Sequence, residues 1–336
     1  MNTAKHLAFT ICSNNYMGQA IALKNSLLKH NPDFRFYIIL VDQLHPEADY
    51  SLCEPATVIP VAEVPGLDLQ DLIARYYIIE FNTAVKASAF KYLIAQNPDA
   101  ESIYYLDPDL YFYGALTETN TLLKQRSGVL TPHILNPIPR DGKQPDENTF
   151  LRFGIYNLGF LGLNPQHEAT AQLLDWWEHR TLNHGYDRPN KGYFVDQLWM
   201  ALAPIFYKDF EVLRTFNYNM APWNLHERQI VSISEDSVLL NDGSDLVFYH
   251  FSKLAEDSDA ISREYNRYDF NDFPLLRELY TGYRQELVRS QFDSFRKIPI
   301  AYPVRMPYEA KIVKRSLLAR IFKKIGSILN KIGDKL

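Results

Sequence analysis

The chain has 336 residues, 46% hydrophobic and 14% aromatic, with two cysteines and a formal net charge of −5. That length and apolar content supply a substantial core and exclude a disordered tail or a disulfide-built miniature. The charge is uneven: residues 311–336 carry eight Lys and Arg against one Asp, which leaves −12 on the preceding 310, a poor surface for nucleic acid.

Residues 7–12 read as a first strand running into Ser13-Asn14-Asn15-Tyr16. A helix follows whose apolar face is Met17, Ala20, Ile21, Leu27 and Leu28, and Asn31-Pro32 stops it. Strands are predicted over 34–41 and 57–61, and a helix over 83–96 closed by Asn97-Pro98. The run Ile103-Tyr104-Tyr105-Leu106 then forms a buried strand ending in Asp107-Pro108-Asp109. Proline fixes its own φ, so two carboxylates are held stiffly where the chain leaves the sheet. Such a pair suits a hard divalent cation with positions left for phosphate oxygens, although the same tripeptide is also a common turn. The alternation of β and α predicts a mostly parallel sheet with helices on both faces and ligands at the carboxyl ends of its strands.

A short helix near 117–124 and a strand over 128–131 precede a proline-rich stretch, 132–147, expected to be a mobile flap over the site. Residues 153–163 read as a strand with three glycines and the polar Asn157, and glycine in a strand marks close approach by a ligand or another backbone. Helices are expected over 168–180 and 194–203. The second carries Asp196-Gln197 near its start, where an acidic side chain could serve only the helix dipole. Residues 216–224 mix aromatics with amides, a composition suited to sugar. A last apolar strand, 246–251, carries His250 and leads into Ser252-Lys253; a helix through 275–287 packs on the body, and 299–307 is a linker. From residue 314 onward Leu317, Leu318, Ile321, Phe322, Ile325, Ile328, Leu329 and Ile332 recur at helical spacing among Lys and Arg, the pattern of an interfacial helix on anionic lipid. The longest apolar run, 36–41, is too short to span a bilayer, and residues 1–8 lack the apolar stretch of a secretory signal. With Cys12 inside a strand pattern, these features fit a reducing cytoplasm.

In order, Asn15-Tyr16 after the first strand, Lys86 on a helix, Asp107-Pro108-Asp109, Asn157-Leu158-Gly159, Asp196-Gln197 and His250-Phe251-Ser252-Lys253 resemble a GT-A glycosyltransferase. Within that fold the pattern is most similar to glycosyltransferase family 8 and related bacterial surface-glycan enzymes that use nucleotide sugars, over residues 7–255. The resemblance implies an α/β fold of GT-A (Rossmann-like) type, a mostly parallel sheet flanked by helices, to which the periodicity read above adds a C-terminal amphipathic helical tail. It implies that Asp107, Asp109 and His250 hold a Mn2+ or Mg2+ bridging the donor diphosphate, that Lys253 holds the β-phosphate, and that Lys86 lies near the Asp pair and donor. Thr10, Ser13, Asn15 and Tyr16 would contact the nucleoside, and Asn157, Asp196 and Gln197 would surround the transferred sugar. Relatives commonly place an acidic residue where Ser13 stands, which bears on the base; UDP is the expected nucleotide.

The implied reaction moves a sugar from a UDP-sugar to a saccharide or lipid-linked acceptor in bacterial surface polysaccharide synthesis, with retention of anomeric configuration. The expected organisation is a catalytic domain over 1–270, a C-terminal helix and linker over 271–310, and a basic amphipathic helix over 311–336. That last helix would attach the chain peripherally to the cytoplasmic face of the cell membrane. Two other classes stand beside this reading. A sugar nucleotidyltransferase shares the α/β plan but wants a glycine-rich phosphate loop that Ser13-Asn14-Asn15-Tyr16 does not provide. A catalytically silent sugar- or nucleotide-binding module differs only in turnover.

Overall fold

The computed structural model describes residues 5–235, 237–255 and 258–302. Its strands are β1 (His6–Cys12), β2 (Phe34–Leu40), β3 (Thr57–Pro60), β4 (Ser102–Leu106), β5 (Leu110–Phe112), β6 (Gly128–Pro132), β7 (Tyr156–Leu163), β8 (Asp187–Arg188), β9 (Tyr193–Phe194), β10 (Phe210–Val212), β11 (Ile230–Ile233), β12 (Val238–Leu240) and β13 (Phe248–His250). Its helices are α1 (Met17–His30), α2 (Leu69–Arg75), α3 (Ile78–Ala84), α4 (Lys86–Gln96), α5 (Thr117–Leu123), α6 (Glu147–Phe153), α7 (Glu168–His184), α8 (Ala203–Phe206), α9 (Pro274–Arg289) and α10 (Phe292–Arg296).

Seven strands form the central sheet in the order β10-β6-β7-β4-β1-β2-β3. β1 runs parallel to β2 and β4, β2 to β3, and β10 to β6, whereas β7 runs antiparallel to both β4 and β6. Side chains alternate across a strand, so β1 sorts its residues between two helical layers. Leu7, Phe9 and Ile11 pack with Ala84, Phe90, Leu93 and Trp177 of α3, α4 and α7. Ala8 and Cys12 pack with Met17, Ile21 and Leu27 of α1 and Phe295 of α10. A third cluster sets Leu276, Leu279, Tyr280 and Tyr283 of α9 against Tyr249 and Phe251, with the Phe251 and Tyr283 rings stacked at 3.9 Å.

The reversal of β7 positions the site. An antiparallel strand brings its amino end to the edge where its parallel neighbours have their carboxyl ends. Asn157 and Gly159 therefore sit beside the end of β4, where Asp107 N–H donates to Gly159 O at 2.8 Å.

Four expectations differ from the structure. The helix over 83–96 is two helices. The Glu80 carboxylate accepts Tyr77 N–H (3.2 Å) and starts α3 early, while a break at Val85 (φ −85°, ψ 0°) sets Lys86 at the head of α4. The strand over 153–163 begins at Tyr156, because Phe153 closes α6 and Gly154, at φ +124°, turns the chain in a region other residues avoid. The helix over 194–203 is replaced by the β8–β9 ladder and a 3-10 turn at Leu198–Leu202, which leaves Asp196 outside any helical first turn. The proline-rich stretch is a fastened wall. The Glu227 carboxylate accepts the N–H groups of Leu135 (2.9 Å) and Asn136 (2.6 Å), and the buried Arg267 guanidinium donates to Pro145 O (3.1 Å), Lys143 O (2.9 Å) and Asp141 (2.6 Å).

After α10 the chain returns to the carboxyl ends of β1 and β2. Ala301 N–H donates to Asp42 Oδ1 at 2.8 Å, and the Tyr302 ring lies 5.8 Å from that of Phe81. The predicted basic helix over 311–336 lies outside the described residues. Among the described residues no helix is long and apolar enough to cross a membrane.

Candidate functional site

β4 and the β5–β13 ladder build the floor. β4 ends at Leu106, and Pro108 turns the chain into β5, so Asp107 and Asp109 stand at the carboxyl edge of the sheet. β13 pairs antiparallel with β5 with His250 opposite Leu110, and Phe251 N–H donates to Asp109 O at 2.9 Å. That register carries a remote imidazole to the acids: His250 Nε2 lies 3.0 Å from Asp109 Oδ1 and 3.8 Å from Asp107 Oδ2. One ligand atom from each residue lies within 4.8 Å of the others.

Two carboxylates and an imidazole are a fitting donor set for Mn2+ or Mg2+. The space around them is also shaped for the purpose. A Cβ on Gly159 would meet Asp107 Oδ2 at 2.7 Å, His250 Cε1 at 2.7 Å and Asn157 Oδ1 at 2.8 Å, so only glycine lets the three converge. Tyr105 OH donates to Asp107 Oδ1 at 2.6 Å, and the Trp223 ring meets His250 edge-on at 5.1 Å. Burial opposes charge on His250, but Asp109 and then Asp107 beside it raise its pKa above the ordinary value. Burial likewise opposes charge on Asp109, and His250 more than offsets it, holding the carboxyl below its usual range. In the metal-free chain the proton on His250 therefore stands where a cation's charge would act.

The floor opens into a cleft of about 1780 Å3. Ser13, Asn15, Tyr16, Lys86, Asn157, Asp196, Gln197 and Lys253 all line it together with the Asp-Asp-His group. Thr10 does not: it is fully buried, and the alternation of β1 turns it to the α1 face with Ala8 and Cys12, away from any nucleoside in the cleft. Ser13 Oγ donates to Asn15 Oδ1 at 2.6 Å, which folds the turn after β1 and leaves the Tyr16 ring 44% exposed. Lys253 has left-handed backbone (φ +55°), and its Nζ lies 3.1 Å from Glu264 Oε1.

Asp196 does not serve a helix dipole, and Lys86 is not a solvated charge. Lys86 Nζ is 2.6 Å from Asp196 Oδ2 with both side chains 2% exposed, donates to Leu158 O (3.1 Å) and sits 3.8 Å from the Tyr105 ring centroid. Burial raises the pKa of Asp196, with Lys86 opposing. The two amides expected around a sugar are engaged by the protein itself. Gln197 Oε1 accepts Leu158 N–H (3.0 Å) and its Nε2 donates to Phe153 O (2.9 Å). Asn157 Oδ1 accepts Gly159 N–H and Asn219 Nδ2, each at 3.2 Å. These side chains shape the cleft wall by stapling β7 to its neighbours.

Sequence reasoning missed two residues behind the floor. The stretch 216–224 is not a sugar-facing loop: Tyr218, Asn219, Met220, Ala221, Trp223 and Asn224 are buried, and only Trp223 of these lines the cleft. Asn219 Oδ1 lies 3.3 Å from His250 Nδ1. His133 stacks on Phe150 at 5.0 Å, and burial drives its pKa down to about 3. The one signal for Asn219 was the density of amides around it; a lone histidine in a proline-rich stretch gave none.

No protein-family model matches the chain. Among curated proteins, uncharacterized protein YfnF of Bacillus subtilis (strain 168) is 26% identical over 274 residues, covering 81% of this chain and 89% of its own. Uncharacterized protein YfnD of the same organism is 25% identical over 288 residues, covering 83% and 88%. Among solved structures, the galactosyltransferase LgtC in complex with donor and acceptor sugar analogs has a TM-score of 0.43 at 15% identity, covering 84% of this chain and 99% of its own. Apo glycosyltransferase GlyE of Streptococcus pneumoniae TIGR4 has a TM-score of 0.43 at 14% identity, covering 89% and 66%.

Gly159→Ala should cost about 1–3 kcal/mol by overpacking, and calorimetry should find Mg2+ binding weakened by about tenfold or more as Asp107 and His250 are displaced. The His250–Asp109 pair should give the EDTA-treated chain a pH-dependent stability. Between the ordinary values, 3.8 for Asp and 6.5 for His, both groups are charged in the fold and the full contribution is present. It fades as pH falls through the lowered value of Asp109 and as pH rises through the raised value of His250. Thermal unfolding should therefore separate wild type from His250→Gln most widely inside that window and progressively less toward alkaline pH.

Proposed function

We propose that this chain is a metal-dependent glycosyltransferase that moves a sugar from a UDP-sugar to a saccharide or lipid-linked acceptor of a bacterial surface polysaccharide. The observation that carries the reading is the convergence of Asp107, Asp109 and His250 around the void left by Gly159, on the floor of a cleft lined by a lysine and an exposed aromatic ring. The cleft volume, about 1780 Å3, exceeds that of a pocket for one small ligand and suits a donor and an acceptor together.

A Mn2+ or Mg2+ held by the three residues would supply Lewis-acid neutralisation of the departing diphosphate. The chain's own groups do the rest. Lys253, paired at the rim with the half-exposed Glu264, exchanges that partner for a phosphate oxygen. Tyr16 offers its ring face to the uracil, and the Ser13–Asn15 turn presents the nucleoside edge. Asp196, fixed by Lys86 beneath the cleft wall, sets a negative charge beside the reacting sugar, where positive charge develops at the anomeric carbon; the sequence resemblance implies retention there. Gln197 and Asn157 act as wall, holding Leu158 and Gly159 at the spacing the sugar meets.

In this reading residues 1–270 form the catalytic body, 271–310 are a C-terminal helix and linker of which α9 braces the β5–β13 ladder, and the basic amphipathic pattern over 311–336 holds the chain on the anionic cytoplasmic leaflet.

A screen of nucleotide sugars should find divalent-dependent release of UDP that EDTA abolishes and Mn2+ or Mg2+ restores. Asp109→Asn should lower the rate by about 100-fold or more with the fold retained by circular dichroism; full turnover in EDTA overturns the reading. The full chain should cosediment with anionic vesicles at low salt, and a chain ending at residue 310 should stay in the supernatant.

A further inference from the structure

Among the described residues, Leu202, Ile205 and Phe206 bring three large apolar side chains to the surface within five residues, 37%, 75% and 53% exposed. The single turn of α8 buries Ala203 in the core and so turns Ile205 and Phe206 outward. Half-buried rings continue the patch. Trp176 of α7 lies 5.5 Å from Phe206, 6.1 Å from Tyr207 and 6.5 Å from Trp199, and Trp199 lies 6.3 Å from Tyr193 of β9. None of these side chains lines the cleft, and a contiguous apolar surface of this kind marks a contact site.

The chemistry of the patch selects what covers it. Arg180 stands over the Trp199 ring at 5.9 Å, Arg188 over Tyr186 at 4.1 Å, and Lys208 follows Tyr207 at the surface. The nearby acids are already paired, Asp175 and Glu178 with Lys91, and Asp209 and Glu211 with Arg126. Protruding aliphatic tips, tryptophan and tyrosine rings and a rim of cations are the composition that seats in the headgroup region of an anionic leaflet. A glycan chain stacks on ring faces, whereas Trp176 meets both Trp199 and Phe206 edge-on at 84°. A second copy related by a two-fold axis would bring the same cations together. The position agrees. Tyr302 rests on Phe81 of α3, and Tyr77 at the other end of α3 donates its OH to Asp187 Oδ2 at 2.6 Å, beside Tyr186, whose ring lies 6.3 Å from that of Tyr193. The seven residues of α3, about 10 Å of helix, thus separate the point where the chain leaves toward 311–336 from the edge of the patch.

We propose that Leu202, Ile205 and Phe206, framed by Trp176 and Trp199, form a membrane-contact patch that inserts into the headgroup–acyl boundary of an anionic leaflet. The choice of lipid rests on the membrane placement given above to 311–336, and the patch is a second contact beyond it. Stable attachment takes two signals: 311–336 retains the chain and the patch orients it. Side chains alternate along β9, so Tyr193 joins the rings while Phe194 lines the cleft. A seated patch therefore brings the mouth of the cleft to the headgroups, where a lipid-linked acceptor presents its sugar.

The test is tryptophan fluorescence of the full chain on vesicles of phosphatidylglycerol and phosphatidylcholine, with and without bromine on the acyl chains. Of the four tryptophans, Trp177 and Trp223 are 0% and 2% exposed, so quenching reports on Trp176 and Trp199. Brominated lipid should quench the bound wild type, and Trp176→Phe with Trp199→Phe should lose the quench while still binding. Ile205→Ser with Phe206→Ser, at exposed positions that leave the fold intact by circular dichroism, should weaken binding by about tenfold or more and lose most of the quench. A wild type that binds without quenching overturns the patch and leaves the 311–336 contact standing; a wild type that does not bind overturns both. Complete loss of binding in the serine variant upholds the patch and refutes a separate contact by 311–336, whereas unchanged binding overturns the patch. A dimer in lipid-free sedimentation that the serine variant abolishes assigns the face to a second copy and likewise overturns the proposal.

Discussion

The antiparallel pairing of β5 with β13 is the constraint on which the site depends. Each strand is three residues long, and a two-stranded ladder of that size does not stand alone in water. Its register is held from behind, by Tyr249 and Phe251 packed on Tyr280, Tyr283 and Leu276 of α9. A slip of one residue would put Tyr249 or Phe251 where the imidazole now stands and turn His250 to the opposite face. A late helix with no residue in the cleft therefore decides whether two acids and a histidine meet.

In and behind the cleft walls lie several buried polar groups, which are expensive unless every partner is present. Lys86 and Asp196 at 2% exposure, Glu227 with Arg228 at 3.2 Å, and Arg267 with its backbone acceptors all give up hydration. Removing one member of such a pair typically costs about 3–5 kcal/mol, far more than a surface ion pair is worth. What the pairs supply in return is direction. Lys86 has three partners that leave it one position, and Glu227 holds the backbone of Leu135 and Asn136, next to the segment that carries His133.

Much of the layout was legible because it follows from local periodicity. The strands β1, β2, β4 and β6 are apolar runs with clear stops, and Asp107-Pro108-Asp109 sits at a strand end that a parallel sheet turns to its ligand edge; His250 was legible as the end of an apolar strand, but its meeting with the acids comes from the antiparallel β5–β13 ladder. What could not be read depends on contacts between distant segments. The break at Val85 falls between two helices that both pack on α7, a segment about 80 residues on, and the fastening of 132–147 comes from Glu227 and Arg267, far along the chain. The resemblance sets Thr10 at the nucleoside, but a period of two turns it to the α1 face of the sheet. Asn157, Gln197 and Asn219 show the deeper limit. An amide's composition announces that it will hydrogen-bond, and only the fold says whether its partner is a ligand or a backbone.

The return of the chain after α10 changes how force reaches the cleft. Ile300 forms part of the lining, Ala301 is pinned to Asp42 and Tyr302 rests on Phe81, so these last described residues make a wall of the cleft itself. The 34 residues beyond are rooted at its mouth, not on the far side of the body. Any tension on that segment runs first through the Ala301–Asp42 bond, at the edge where β1 and β2 end.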